Sequence, residues 1–539
     1  MKKLYIFILL SCLTVSLFGQ SKENQIQKIV TDYLQPNSPG IAVLVTEGKE
    51  VLYKEASGLS DVGNSAALST EHHFRIGSIT KQFTAVAILK LVHENKIRLD
   101  ASIKDYLPQA SLAEDISIQQ LLNHTSGLGN QSDIPSFNPA EIDREQYPAV
   151  MVEPILSSSL KFSPGTGYSY SNLGYILLGY IIENVSGMSY EAYLKKNLFM
   201  PLNLKGTGFE YLDGTNFSMS KGHSLVADTY ESASFLDMKI PYAAGGLVSS
   251  LDDLSTWNSA VMNGKVIPLS YVDQLSESQV LPNGEATGYS MGWQIGNIQR
   301  VKSVKHDGIV NGFTSMEIYL PSKDIYVAVL SNCDCNRNIE IVASKITAVA
   351  LGQPYPTKGM VVSEKALEEY QGTYHHQTGD INIVLHDDAL MYYHKGGQKT
   401  TLLPTGENKF LLKGSLNQIE FDGDEIEKGY TLITPNRSTT WDKVAPASGY
   451  KTLSLTNSTL DEYVGKYQVP DKFVFEIFRV DDVLYGQLGN DRKEIFCYGK
   501  DKFSAQDTDA LLSFSRDDKG QVNQLTVSRG IEFSAAKIK

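Results

Sequence analysis

A duplication in the last third of the chain constrains the fold more than any other feature. The segment "LEEYQGTY" (367–374) returns as "LDEYVGKY" (460–467), "HDDALMYY" as "VDDVLYGQ", "NKFLL" as "DKFSA" and "IEFDGD" as "LSFSRD". Tyr370 and Tyr463, Phe410 and Phe503, and Phe421 and Phe514 are each 93 positions apart. An offset of 93 in three of the four matched segments, and 94 in the other, marks two copies of one structural unit. Each copy has about 80 residues of short strands and turns, which suits a small closed β-barrel or sandwich. The modules are placed at 360–445 and 459–539, joined by "APASGYKTLSLTNST". A chain of 539 residues is too long for one core, and 21–352 is left as a separate domain of catalytic size.

The first twenty residues, "MKKLYIFILLSCLTVSLFGQ", pair two lysines with an apolar run and then small or polar residues. This predicts a signal peptide over 1–20, because the run is too short to span a bilayer. Lipid attachment at Cys12 is not expected, since apolar sequence continues past it to Phe18. The mature chain is therefore expected to be exported, periplasmic or secreted, with no stable membrane span. A net charge of −13 argues against nucleic acid and anionic membranes as partners. The remaining cysteines, Cys333, Cys335 and Cys497, are too few for a disulfide framework, and neither metal nor redox chemistry is expected at "CDC".

From residue 22 to 352 strand-like and helix-like segments alternate. "GIAVLVTEGKEVLYKEASG" predicts a hairpin turning at Glu47-Gly48. "SIQQLLNHTSGL" predicts a helix ending near Gly127, and the stretch from Ser171 to Leu202 reads as one long helix. Ser250 with Asp253 three residues on has the spacing of a capping box. "TSMEIYLPSKDIYVAVLSN" reads as two strands joined at Pro321-Ser322. Strands at both ends with helices between predict an α+β or mixed α/β domain around an antiparallel sheet.

Three short motifs carry chemistry. In "GSITKQFTAVAILKLV" (77–92), Ser78 and Lys81 open a helix that is apolar on nearly every side. Residues i and i+3 share a helix face, so Lys81 reaches the Ser78 hydroxyl. Burial lowers the pKa of an amine towards that of a usable base. The same S-x-x-K spacing recurs at Ser158/Lys161, Ser218/Lys221, Ser448/Lys451 and Ser534/Lys537, none of which opens a buried helix. "GYSYSNLGY" places Tyr170, Ser171 and Asn172 just before a helix. A tyrosine hydroxyl relays a proton where an ammonium stabilises its phenolate, and an Asn amide offers both donor and acceptor. "HDGIVNGF" places His306 and Gly308 immediately before a strand pair. There Gly308 would let substrate lie along an edge strand, and the Ile309 N–H could serve an oxyanion.

S-x-x-K near the amino end, Y-x-N about 90 residues later and H-x-G at a late strand resemble, in order and setting, the penicillin-recognising serine hydrolases. The match is to the branch holding class C β-lactamases, family VIII esterases, DD-peptidases and D-aminopeptidases. "NHTSGL" (123–128) and "AGGLVSS" (244–250) support it, over roughly residues 25 to 350. The resemblance implies a serine β-lactamase-like α+β (α/β) domain, with a central antiparallel sheet and a helical subdomain. The trailing modules look like the lipocalin-like accessory barrels of related peptidases. It further implies that Ser78 is acylated, that Lys81 and Tyr170 shuttle its proton, and that the main-chain N–H groups of Ser78 and Ile309 form the oxyanion hole. Asn172, His306 and Gly308 are then substrate-binding, with His306 facing the leaving group. No metal or organic cofactor is implied, and the expected partner is a small-molecule or short-peptide substrate.

One departure shapes the expected activity. The family's β-lactamases and carboxypeptidases usually place a lysine where His306 stands, and a histidine is mostly neutral at pH 7, so it anchors a carboxylate weakly. This lowers the expectation of efficient penicillin or D-Ala-D-Ala carboxypeptidase turnover and favours aminopeptidase, amidase or esterase work. The expected activity is on small amides or peptides, of the D-amino-acid peptidase or DD-peptidase type, with carboxylesterase or β-lactamase activity as alternatives at the same site. No E-x-x-L-N element indicates a class A deacylation route. Two rival readings remain open. "GYSMG" (288–292) fits a nucleophile elbow, with Ser290 as nucleophile and His306 as base, but "WQIGNIQRVKSVKHDG" after it reads as strand and turn instead of helix. A non-catalytic receptor on the same fold is the other. The pairs His72-His73 and His375-His376 lack metalloprotease spacing.

Overall fold

A computed structural model describes residues 21–539 apart from 108–114, 135–142, 144, 213, 336–337, 357–358, 377–378, 387, 395–398, 422–428, 435–437, 447–454, 470–473, 489–490, 506–510, 530 and 539. The expected signal peptide with Cys12, and most of the inter-module linker, lie outside the described residues. The chain divides into two compact units, the first ending at Tyr355 and the second beginning at Pro356.

The first unit is built on a seven-stranded antiparallel sheet. Its strands are β1 (Ile41–Glu47), β2 (Glu50–Ser57), β3 (Tyr289–Ser290), β4 (Trp293–Ile298), β5 (Val301–Val310), β6 (Phe313–Leu320) and β7 (Ile325–Ser331), in the order β2-β1-β7-β6-β5-β4-β3. The first and last parts of the unit therefore meet at the centre, where β1 pairs with β7 from Ile41↔Ser331 to Glu47↔Ile325. Every residue of β6 and β7 is buried, as expected of strands covered on both faces. Helices α1 (Lys22–Tyr33) and α6 (Ile339–Ala350) pack together, and α6 lies against β6 and β7. The helical part contributes α2 (Thr80–His93), α3 (Ile118–Leu122), α4 (Asn172–Ser186) and α5 (Leu251–Met262). One apolar core joins Ala42, Leu44, Ala328 and Leu330 of the sheet to residues of all four.

Helix α2 is buried from Thr80 through Leu89, the placement an all-round apolar helix demands. Phe83 stacks on Trp257 of α5 at 3.9 Å between ring centroids. Gln82 is satisfied on both ends, accepting from Trp257 Nε1 at 3.1 Å and donating to the buried Glu317 carboxyl.

Several expectations shift. α3 stops at Leu122 because His124 turns into the left-handed region at φ +58°. The long helix breaks at Gly187 (φ +66°) and resumes at Tyr190. Ser250 does cap α5, but the Asp253 carboxylate accepts from the Gly206 N–H and the Thr207 hydroxyl. His306 and Gly308 lie inside β5, not ahead of it, because β4 and β5 form a hairpin turning at Gln299-Arg300. Cys333 and Cys335 are joined by a disulfide, while Cys497 is free and buried.

The second unit contains two closed eight-stranded β-barrels, the first running from Gly372–His376 to Ser438–Pro446 and the second from Gly465–Gln468 to Ile531–Ile538. The repeated residues occupy equivalent places. Tyr374 and Tyr467 donate to the carbonyls of Tyr370 and Tyr463, at 2.8 and 2.7 Å. Tyr370 packs on Phe410 and Phe421 as Tyr463 does on Phe503 and Phe514. The equivalent tyrosines differ in the partner of their hydroxyl. Tyr370 donates to Asn408, whereas Tyr463 donates to Asp501, which also pairs with Arg516.

Candidate active site

The turn that carries Ser78 is shaped by close backbone contact. Gly77 has φ +49°, and a Cβ there would come within 2.8 Å of Ile309 N. A Cβ on Gly308 would lie 2.0 Å from the Ile76 carbonyl oxygen and 2.4 Å from Ser315 Oγ. Both positions require glycine for the same reason: β5 and the Ile76–Ser78 turn touch through their main chains. This close approach is what requires glycine at 308. β4 pairs with β5 only as far as Gln294↔Lys305, so among the described residues the stretch 306–310 is an open sheet edge beside Ser78. The Ile309 side chain on it is 50% exposed.

Ser78 lies in a short 3₁₀ turn that leads into α2, and Lys81 follows one turn later. Lys81 Nζ is fully buried and has three partners: Ser78 Oγ at 3.0 Å, Asn172 Oδ1 at 2.8 Å and the Ala244 carbonyl at 2.7 Å. Burial pulls its pKa down to about 7, against the opposing pull of the Asp307 charge. The partner set explains where the proton is lost. Two partners are acceptors that hold two N–H groups, so deprotonation leaves the lone pair facing the Ser78 hydroxyl.

The Tyr170 ring lies 4.8 Å from Lys81 Nζ, and the Ser78 side chain is near enough to act on its phenol. Burial holds its phenol well above its usual pKa, with Asp307 adding to the effect. A resting phenolate is therefore disfavoured, and Tyr170 meets Ser78 as a neutral phenol. His306 is buried with both ring nitrogens engaged: Nδ1 donates to the Asp307 carbonyl at 2.6 Å, and Nε2 accepts from Tyr289 Oη at 3.1 Å. Burial lowers its pKa to about 4. It is a neutral support for Tyr289 and presents no free nitrogen to a leaving group.

Sequence reasoning missed the frame that holds Tyr170. His124 O accepts from Ser169 N at 3.0 Å and His124 Nδ1 from Ser171 N at 3.1 Å. Asn130 Nδ2 donates to Tyr170 O at 3.1 Å, and its Oδ1 accepts from Asn172 N at 2.9 Å. Two residues thus fix four consecutive backbone positions around the phenol. The His124 ring also lies 4.3 Å from the Tyr170 ring and 4.5 Å from that of Tyr289. His124 belongs to the "NHTSGL" segment, so a signal existed; Asn130 had none, because its partners are some 40 residues away.

The structure does not bring Ser290 and His306 together as a dyad. Ser290 Oγ donates to the Gln274 carbonyl at 3.1 Å, and the strand turns at Met291-Gly292 into β4 where an elbow needs a helix. Among the described residues no group of three His, Cys, Asp or Glu side chains is placed to hold a metal ion. No helix among them is long and apolar enough to cross a membrane.

Helices and an antiparallel sheet with a half-buried serine beside a buried lysine at their junction define a β-lactamase-like domain. Residues 26–346 match the Beta-lactamase family, and the chain belongs to it. Residues 451–538, the second barrel, match a domain of unknown function, DUF3471. The chain is 26% identical over 440 residues to penicillin-binding protein 4* of Bacillus subtilis (strain 168), covering 77% of this chain and 97% of that protein. It is 28% identical over 352 residues to protein flp of Staphylococcus aureus (strain N315), covering 64% and 69%. Its fold is similar to that of the octameric penicillin-binding protein homologue from Pyrococcus abyssi (TM-score 0.55, 24% identity, 78% of this chain and 99% of that one). It is also similar to that of the D-amino acid amidase from Ochrobactrum anthropi SV3 (TM-score 0.54, 22% identity, 61% and 98%).

Proposed function

We propose that the protein is an exported serine hydrolase acting through an acyl-enzyme on small amide or peptide substrates of the D-amino-acid amidase or peptidase type. The observation that carries this reading is the partner set of Lys81, which aims one amine position at Ser78 Oγ and occupies the other two. The Ser78 proton passes to neutral Lys81 as Oγ attacks the substrate carbonyl carbon. The N–H groups of Ser78 and Ile309 take the oxyanion. Tyr170 gives its proton to the departing amine as the C–N bond breaks, and regains one from the Lys81 ammonium beside it. Water then attacks the Ser78 ester, losing its proton to the same pair, which returns it to Ser78 Oγ as the C–O bond breaks and the acid leaves. The Asn172 amide faces the acyl group with its remaining donors.

Amides are favoured over β-lactams and free-carboxylate peptides because His306 is neutral and internally bonded, leaving no cation at that position. The D-amino acid amidase among the fold relatives supports the same substrate class, and the leader-like first twenty residues support export. Release of p-nitroaniline from D- and L-aminoacyl p-nitroanilides tests the reading. Turnover that is lost in Ser78→Ala supports it; retention of ligand with no turnover in either protein would support the receptor reading instead.

A further inference from the structure

Asp307 is not used in the steps above, yet it occupies the open stretch of β5 between His306 and Gly308. Its side chain is 40% exposed. Gln294 Nε2 donates to Oδ1 at 2.8 Å and so fixes the carboxylate in place. Among the described residues no lysine or arginine pairs with it, and the one basic ring near it, His306 at 4.0 Å, is neutral. Its charge nonetheless acts on Lys81, Tyr168, Tyr170 and His306, which places it electrically within the site. Burial lowers the Lys81 pKa to about 7, so near neutral pH this amine is only partly protonated and the cleft has no permanent positive charge to balance the carboxylate. Around it the exposed parts are Tyr168, 37% exposed, and Ile309.

We propose that Asp307 sets the charge selectivity of the cleft, favouring amides that carry an ammonium group beside the scissile bond and rejecting those that carry a carboxylate there. This rests on the hydrolase reading and names its substrate class: amino-acid amides and short peptides with a free amino end. Gln294 holds the carboxylate at a fixed place, so the selectivity comes from a preset field and requires no movement on binding. A unit charge several ångströms from a substrate charge, in a partly shielded cleft, changes affinity by at least about tenfold.

The test uses three p-nitroanilides of one residue in the full-length protein: D-alanine p-nitroanilide (cationic), its N-acetyl form (neutral) and its N-succinyl form (anionic). The wild-type protein should rank them cationic, neutral, anionic by kcat/KM. Asp307→Asn keeps an acceptor for Gln294 and should lower the cationic-to-anionic ratio at least about tenfold, while Asp307→Lys should reverse the order. Raising the salt concentration should narrow the wild-type ratio and leave that of Asp307→Asn little changed. An unchanged ratio in Asp307→Asn, with the neutral substrate still cleaved, would overturn the assignment. Absence of any Ser78-dependent cleavage in the wild type would instead overturn the hydrolase reading beneath it.

Discussion

The pH dependence of Ser78 acylation derives directly from the burial of Lys81. Only the neutral amine can accept the Ser78 proton, and its pKa is lowered to about 7. The neutral fraction is then about a tenth at pH 6, half at pH 7 and nine-tenths at pH 8. Acylation should rise about tenfold between pH 6 and 8 and level off above. A lysine with an ordinary pKa would give about a hundredfold rise over the same range and continue upward. The assay is the pre-steady-state burst of nitrophenol from p-nitrophenyl acetate, corrected for buffer hydrolysis, between pH 5.5 and 9.5. Glu317 is raised by burial to about 7 as well, so Glu317→Gln is the necessary control and should leave the midpoint in place. Asp307→Asn should move the midpoint to lower pH, because the Asp307 charge is what opposes the burial effect. A burst rate that keeps climbing tenfold per pH unit above pH 8.5, or one that does not change with pH, would refute Lys81 as the base.

Three further outcomes are expected from the geometry. Glu317 keeps its proton in the folded state up to about pH 7 but releases it near 4.5 when unfolded, so its contribution to stability is full below 4.5 and lost as pH rises towards 7. Glu317→Gln should therefore be more stable than the wild type at pH 8, by up to about 3 kcal/mol relative to their difference at pH 4.5; parallel urea midpoints at both pH values would contradict this. His124→Leu removes the acceptor for Ser171 N, whereas His124→Asn offers an amide oxygen at the place of Nδ1 and tolerates the left-handed backbone. The leucine variant should lose acylation rate about a hundredfold at little change in KM, with the asparagine variant recovering most of it; equal losses in both would show that the ring and not the hydrogen bond matters. Gly308→Ala would place a methyl 2.0 Å from the Ile76 carbonyl oxygen, and the forced shift of β5 from Ser78 should lower acylation more than about a hundredfold. Near-normal rates, with folding checked by circular dichroism, would contradict the close approach.

What could be read from the sequence was local or periodic. The repeat at Tyr370/Tyr463 and Phe421/Phe514 needs only a fixed offset, and both copies close as barrels with those residues in matching contacts. The three-residue spacing of Ser78 and Lys81 at the start of an all-apolar helix is likewise a local pattern, and the helix is buried as that pattern requires. What was missed depends on partners far apart in the chain. Nothing near Asn130 shows that it will bond either side of Ser171. The place of His306 within β5 depends on β4 turning at Gln299-Arg300, and its bond to Tyr289 on the packing of a strand two removed from β5. The left-handed turn at His124 ended a helix that periodicity would have continued, since histidine carries little of the signal that glycine gives at Gly187. The Cys333–Cys335 bridge spans only Asp334, too small a loop to read as a framework from cysteine counting.

The central claim is that Ser78 becomes covalently acylated with Lys81 as its base, and peptide-level mass spectrometry after a brief pulse of p-nitrophenyl acetate tests it most directly. One acetyl group is expected on the peptide that contains Ser78, absent in Ser78→Ala and strongly reduced in Lys81→Met. An acetyl group on Ser290 instead, or steady ester turnover with no adduct on Ser78, would contradict it.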